Sequence, residues 1–473
     1  MEIFCMTVSN MQQLQHSLSQ KQRLLITIGS NLVMLCVACC GTGLSTIQSP
    51  MLANIGASDY FSLVTILSSI ALCIMTPIAG SLGDRLGTKN VILVSAIVIA
   101  ISGVLLAFAK NIYLFMILRF ILSLGQGGVV TGPYIIVREI NPMDQVPKQM
   151  GILTGSLSIG SFIGSFVSAR LVDMNLIWLA IMFPVVFAII GAPLIFFNLP
   201  QKATNKKPFD FAGAILLAVA LTSLFLALNY GPKSGWLNMA VIAGFVLGLA
   251  CTIALIIVER KSANPLIPMQ LLSNEKYTIL LVIGFLSFMY LIPMNAYVPL
   301  GVQQVLGKST TVSGLLQVPR TIVAIILPAI AGVWLAKNPA RHTWLALALA
   351  TGLVFVAFAG LVFMNASMPV WFVMAMLALT GVADSFRSVS ITPAAQALLK
   401  PSEIGIGTSL ISFTNSLSGV IASSIFGIAY DSVAASGSIT HAVDAVFWLT
   451  AAASLIGFIL VIFVYRPMAK KQS

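Results

Sequence analysis

Charge is what this sequence has least of. Asp, Glu, Lys and Arg make up only 8% of the 473 residues, against roughly 25% in soluble domains. Acid is the scarcer sign, with 13 Asp and Glu against 25 Lys and Arg. Only three histidines occur, and none of the six cysteines stands at metal-ligand spacing from His16, His342 or His441. Neither a disulfide framework nor a zinc site is supported. No nucleophile–base constellation stands out, so no enzyme, catalytic residue, metal or cofactor is expected. Long polar segments are missing as well. The connections near 136–150, 199–210 and 259–276 are too short to fold as domains, which leaves no place for an ATPase or for the output domain of a sensor. Gly301–Ser309 imitates a phosphate-binding loop, but it has one residue too many and lies among apolar runs rather than between a strand and a helix.

What the sequence does have is hydrophobicity: 58% apolar residues and a mean hydropathy of +1.01. Lipid satisfies no exposed backbone group, so such a chain must be built of helices. Runs of about 20 residues cross a hydrocarbon core of about 30 Å. Fourteen fall at 24–45, 60–81, 91–109, 113–135, 151–170, 176–198, 211–228, 238–258, 277–299, 314–336, 342–363, 369–392, 405–428 and 445–465. An even number brings both termini to one side. Of the 25 Lys and Arg, 18 fall in segments on that side and 4 on the other, while Arg119, Arg320 and Arg387 lie within spans. The positive-inside rule therefore predicts a multi-pass protein of the cell inner (cytoplasmic) membrane with both termini cytoplasmic. The loops account for the net charge of +12 without nucleic acid.

Span 5 opens Gly151-Ile-Leu-Thr-Gly-Ser-Leu and span 13 opens Gly405-Ile-Gly-Thr-Ser-Leu-Ile. Both are rich in the small residues that let membrane helices pack closely. This echo divides the chain into six-helix bundles at 24–198 and 277–465, related by an axis along the membrane normal. Residues 199–276 form an inserted two-helix hairpin with its linkers, and 1–23 and 466–473 are cytoplasmic tails. The predicted fold is all-α and polytopic.

Between spans 2 and 3 the sequence reads Gly80-Ser-Leu-Gly83-Asp84-Arg85-Leu-Gly87-Thr-Lys89-Asn. Gly80 and Gly83 suit a close helix approach and Gly87 a tight turn. The stretch resembles the signature loop of the major facilitator superfamily. Span 4 adds Arg119-Phe-Ile-Leu-Ser123-Leu-Gly-Gln126-Gly, span 7 opens Phe209-Asp210-Phe-Ala-Gly213, and Gly231…Gly235-Trp236 closes its hairpin. Glu259-Arg-Lys…Asn264-Pro-Leu-Ile follows span 8, and Tyr297-Val-Pro-Leu-Gly-Val-Gln303 leads towards span 10. In this order the pieces resemble the fourteen-span drug:proton antiporters of that superfamily. The chain departs from their pattern at Gly41 and Thr46, where span 1 commonly has Asp and Asn, at Ser161, where span 5 commonly has Pro, and at Thr88, where the loop commonly has a base.

A charge in hydrocarbon costs at least about 2.5–3.5 kcal/mol and usually has a purpose. Asp384 is the only acid well inside a span, and burial moves a carboxylate pKa towards neutral, so it is the first candidate for a proton site. Arg387, three residues on, offers the competing reading of mutual neutralisation. The resemblance gives Arg119 a role in proton transfer. It also makes Gly80, Gly83, Asp84, Arg85, Gly87, Lys89, Arg138 and Glu139 a cytoplasmic gate, with Asp84 reaching the start of span 13 near Ile404. Gln126, Tyr290, Arg320, Phe413 and Asn415 are candidate substrate contacts at mid-depth. The expected function is proton-coupled efflux of small amphipathic compounds or drugs by alternating access. The partners expected are a small-molecule substrate, protons and the lipid bilayer, with the chain a monomer. The alternatives are a transporter of a metabolite, sugar or siderophore, a symporter among them, and a non-transporting membrane sensor.

Overall fold

The computed structural model describes residues 18–141, 146–201, 210–262, 269–399 and 404–470. The side chains of some helical residues, Asp84 and Arg138 among them, lie outside that description, as do the motif pieces at 202–209 and 263–268. Fourteen helices are long and apolar enough to cross a membrane: α1 (Gln20–Asn54), α2 (Ser58–Gly83), α3 (Thr88–Ala107), α4 (Ile112–Val137), α5 (Ile152–Asp173), α6 (Ile177–Asn198), α7 (Phe211–Gly231), α8 (Met239–Lys261), α9 (Glu275–Gln304), α10 (Thr310–Leu335), α11 (Arg341–Leu361), α12 (Val370–Ala395), α13 (Leu410–Ala434) and α14 (Ile439–Ala469). Each expected run is a helix. The face where α1 begins and α14 ends is called the near face below, and the opposite one the distal face.

Helix pairing repeats. In the first six helices α1 packs on α5 and α6, α2 on α4, and α3 on α4 and α6; in the last six α9 packs on α13 and α14, α10 on α12, and α11 on α12 and α14. The halves meet along α2 with α13 and along α5 with α10. The hairpin α7–α8 lies against the first of these seams, where α7 touches both α2 and α13. This is the predicted architecture of two six-helix bundles with an inserted two-helix hairpin.

Small residues set the closest contacts. A Cβ on Gly164 of α5 would lie 2.5 Å from the Cys39 Cα of α1, so these helices touch backbone to backbone. Thr46 and Ser165 hydrogen-bond across that contact at 2.8 Å. Several helices are interrupted, two of them past their midpoints near the residues discussed below. α4 is interrupted at Thr131 and resumes at Gly132-Pro133, and α9 carries a wide π-type turn over Pro293–Tyr297, where proline supplies no N–H to the helical ladder.

The turn between α2 and α3 departs from the expected close approach. The helix of α2 runs on to Leu86, so most of the signature stretch is helical. A Cβ on Gly80 would meet nothing within 4 Å, and one on Gly83 would make only ordinary contact with Thr88. Gly83 instead borders a small cleft with Thr88, Gly128 and Gly132. Gly87 does make the tight turn, at φ +88°.

Candidate functional site

Gly381 explains how the second bundle builds its charged centre. A Cβ there would lie 2.8 Å from the backbone oxygen of Arg320, so α12 can press directly onto α10 at that level. Asp384, three residues on, then faces the Arg320 guanidinium. Its Oδ2 accepts a hydrogen bond from Arg320 Nη2 at 3.2 Å. Its Oδ1 accepts from Arg387 Nε at 3.0 Å and from Arg387 Nη2. The Arg387 guanidinium lies over the Phe288 ring at 4.6 Å, a cation–π contact that adds to its anchorage. Tyr290 of α9 is buried, its hydroxyl close enough to feel all three charges but without a well-formed hydrogen bond. Tyr134, just beyond the break in α4, brings the first bundle within electrostatic reach of Asp384 and Arg387.

The cluster is shielded without being sealed. The Asp384 side chain keeps 22% of its exposure, against 9% for Arg320 and 14% for Arg387. Arginine stays protonated in proteins. Asp384 thus sits between two permanent cations, and its charge contributes to the attraction that holds α10 to α12.

The distal end of the seam between the bundles is closed. Ser62 of α2 donates to Asp431 of α13 at 2.6 Å. One turn deeper than Ile66, Ser69 and Ser423 share a hydrogen bond. On the other side, Gln303 Nε2 donates to the Thr46 backbone oxygen at 3.1 Å, and the Thr311 N–H donates to Asp173 at 2.7 Å. Phe61, Tyr297 and Tyr430 form an aromatic cluster with centroids 5.4–6.1 Å apart. Thr46, Tyr297 and Gln303 stood out in the sequence only as motif positions, and none of these residues was read from it as a closing contact. Their partners are hundreds of positions apart, and an isolated Ser or Tyr near a helix end carries no signal of its own.

The remaining candidates are dispersed. Arg119 and Gln126 share a face of α4 two turns apart, both buried, with Arg119 Nη1 and Gln126 Nε2 unpartnered. Cys40 of α1 lies within electrostatic range of Arg119. Phe413 belongs to an apolar cluster with Ile70, Ile74 and Tyr277, away from the charged centre. Asn415 faces α9 at Gly284. On the near face, Lys89 donates to the Leu199 backbone oxygen at 2.9 Å and lies over Phe196 at 5.3 Å, so it closes the C-terminus of α6. Arg85 Nε is buried without a partner, and Glu139 is buried. The expected contact from Asp84 to Ile404 involves side chains outside the described residues.

Comparison with known proteins agrees with this architecture. The family model of the Major Facilitator Superfamily matches residues 31–423. Multidrug resistance protein 3 of Bacillus subtilis (strain 168) is 26% identical over 411 residues, covering 85% of this chain and 78% of the relative. Multidrug transporter protein MdtP of the same organism is 27% identical over 414 residues, covering 86% and 75%. Among solved structures, a peptide transporter POT in complex with sulfate superposes with a TM-score of 0.73 at 16% identity, covering 97% of this chain and 99% of that one. A POT family transporter in complex with 5-aminolevulinic acid gives 0.69 at 14%, covering 95% and 96%; at such identities the likeness concerns the fold alone. With its paired helices, its two seams and a family model spanning most of its length, this chain belongs to the major facilitator superfamily of membrane transporters.

Proposed function

We propose that the chain is a proton-driven efflux transporter of small amphipathic compounds, working by alternating access of the bundles at 24–198 and 277–465. The observation that carries this reading is Asp384, a mid-membrane acid held by two helices of one bundle, faced by Tyr134 of the other and partly exposed. The multidrug names of two relatives support the efflux direction. The excess of Lys and Arg makes the near face cytoplasmic, so the closed distal seam is the one facing away from the cytoplasm.

Coupling follows from the position of α10. This helix holds Arg320 against Asp384 and also packs on α5 in the inter-bundle seam. Protonating Asp384 removes its charge-assisted bonds to Arg320 and Arg387, which are stronger than neutral ones. α10 then shifts more easily against both α12 and α5. Electrostatics at the centre are thereby linked to opening at the distal face. Near-face contacts such as Lys89 with Leu199 keep the first bundle rigid while it turns.

Everted membrane vesicles containing the full chain test this. With a respiration-driven, acid-inside gradient, adding a transported compound should release lumenal protons and raise lumenal pH as the compound accumulates. Compound and protons moving in the same direction would identify symport instead. Accumulation that persists after the gradient is collapsed would remove the proton coupling.

A further inference from the structure

We infer that the substrate is an amphipathic anion, a carboxylate or sulfonate on an apolar body, rather than an organic cation. This rests on the transport reading above and names the substrate class of the same membrane-embedded site. The argument begins with the distribution of acids. Of the 13 in the sequence, Asp384 alone is deep in a span; the others fall in tails or loops or within a few residues of helix ends. Asp431 is at the distal end of α13 bonded to Ser62, Asp444 at the distal end of α14 beside His441, Glu259 at the near end of α8 and Glu139 beyond the last turn of α4.

Three arginines lie within spans, Arg119 towards the distal end of α4, Arg387 past the middle of α12 and Arg320 between these levels on α10. Arg387 and Arg320 are both directed at Asp384, which neutralises one charge. Arg119 has its Nη1 buried without a partner, and Arg320 keeps a buried Nε without one. The membrane-spanning interior thus carries three fixed cations and one acid. Charges in that environment are normally paired, and uncompensated ones focus the field for an opposite charge. The neutral polar side chains nearby, Gln126, Asn295 and Gln317, have unpartnered amide atoms as well, and an amide can turn either its N–H2 or its oxygen towards a ligand. They do not change the sign. Phe288 and Tyr290 give the apolar wall on which a ring system packs, next to Arg387 and Arg320.

Space exists on the first-bundle side. A Cβ on Gly41 would meet nothing within 4 Å, and its neighbour Cys40 is the residue within electrostatic range of Arg119. An acid placed at Gly41 would therefore enter open space on the helix whose Cys40 lies within range of the unpaired cation. It would lower the cationic excess from two to one without displacing a packed side chain.

The test uses the purified full chain and one dye scaffold in three forms: a carboxylate, its neutral methyl ester and a quaternary-ammonium analogue. Equilibrium binding in detergent should favour the carboxylate over the ammonium form by about tenfold or more, an ordinary size for one added charge-assisted contact. Gly41→Asp should narrow that ratio, with Gly41→Asn as the steric control that leaves it in place. A preference for the ammonium form, equal binding of all three, or no binding of any overturns the inference. Transport of the same dyes in everted vesicles is scored separately. Proton-driven export of the ammonium form keeps the efflux reading and removes this one. Selective carboxylate binding without export does the reverse.

Discussion

In the second bundle the half-buried acid Asp384 is held by guanidinium groups from two helices, whereas in the first the buried Arg119 has no carboxylate against it among the described residues. The bundles nonetheless pair their helices in the same order. Helix packing needs only matching small and large side chains, so a repeat retains it under many substitutions. A buried charge has to be matched by a specific partner, and there the halves have diverged. The second bundle sets its acid between two guanidinium groups, and the first holds a cation with no such match.

The strongest way to break this comparison is to delete charges one at a time. Asp384→Asn leaves Arg320 and Arg387 without their acid, and removing one partner of a buried pair typically costs about 3–5 kcal/mol. Its thermal midpoint in detergent should fall sharply, and Asp384→Asn combined with Arg320→Gln should recover part of the loss. Arg119→Gln removes a cation that has no acid to lose, so it should cost much less. Equal losses for Asp384→Asn and Arg119→Gln would show that the bundles do not differ as described.

How much of this was legible in the sequence depends on distance along the chain. Fourteen spans were legible because lipid imposes long apolar runs. Their ends were less so: α14 begins at Ile439 rather than 445, since the turns around His441 and Asp444 dilute the apolar signal while the helix continues. The Asp384–Arg387 pair could be read from its spacing of three. Arg320 could not be assigned to Asp384, 64 residues away, because Gly381 and the α10–α12 crossing create that contact. Tyr134 and Phe288 were missed because an aromatic residue in an apolar helix looks like packing. Gly80 was misjudged for a related reason: a glycine in a motif suggests close approach, but the neighbour that would approach has to be seen.

The seams offer a smaller contrast. At α5–α10, a Cβ on Gly314 would lie 2.8 Å from the Ser165 backbone oxygen, whereas at α2–α13 one on Gly427 would meet Ser62 and Ile66 side chains at 3.2 Å. Backbone cannot yield as side chains can. Gly314→Ala should therefore cost about 1–3 kcal/mol, the usual range for overpacking, and Gly427→Ala less. Hydrogen exchange read by mass spectrometry should show faster exchange in the distal turns of α5 and α10 for Gly314→Ala. A larger effect from Gly427→Ala would make α2–α13 the tighter seam.

The smallest expected effects compare the near-face turns that occupy equivalent places in the two bundles. In the first, Gly87 turns the chain and Lys89 reaches the last carbonyls of α6, its charge next to the negative end of that helix. In the second, Asn338 accepts from the Arg341 N–H at 3.2 Å to cap α11, while His342 stacks on Trp334 with centroids 4.1 Å apart. The second turn reads Ala336-Lys337-Asn338-Pro339, without the turn glycine or the acid of the first. The turn has its own means of closure, an N-cap and an aromatic stack. An N-cap is worth about 1 kcal/mol, and a cation at a helix C-terminus about 0.3–1 kcal/mol, less where solvent screens it. Asn338→Ala should thus lower the thermal midpoint more than Lys89→Met. Raising the salt concentration should shrink only the Lys89→Met effect, since the cap is a local hydrogen bond to a neutral N–H. If both effects shrink alike, the second turn is held by charge as well, and the contrast between the bundles narrows to their buried centres.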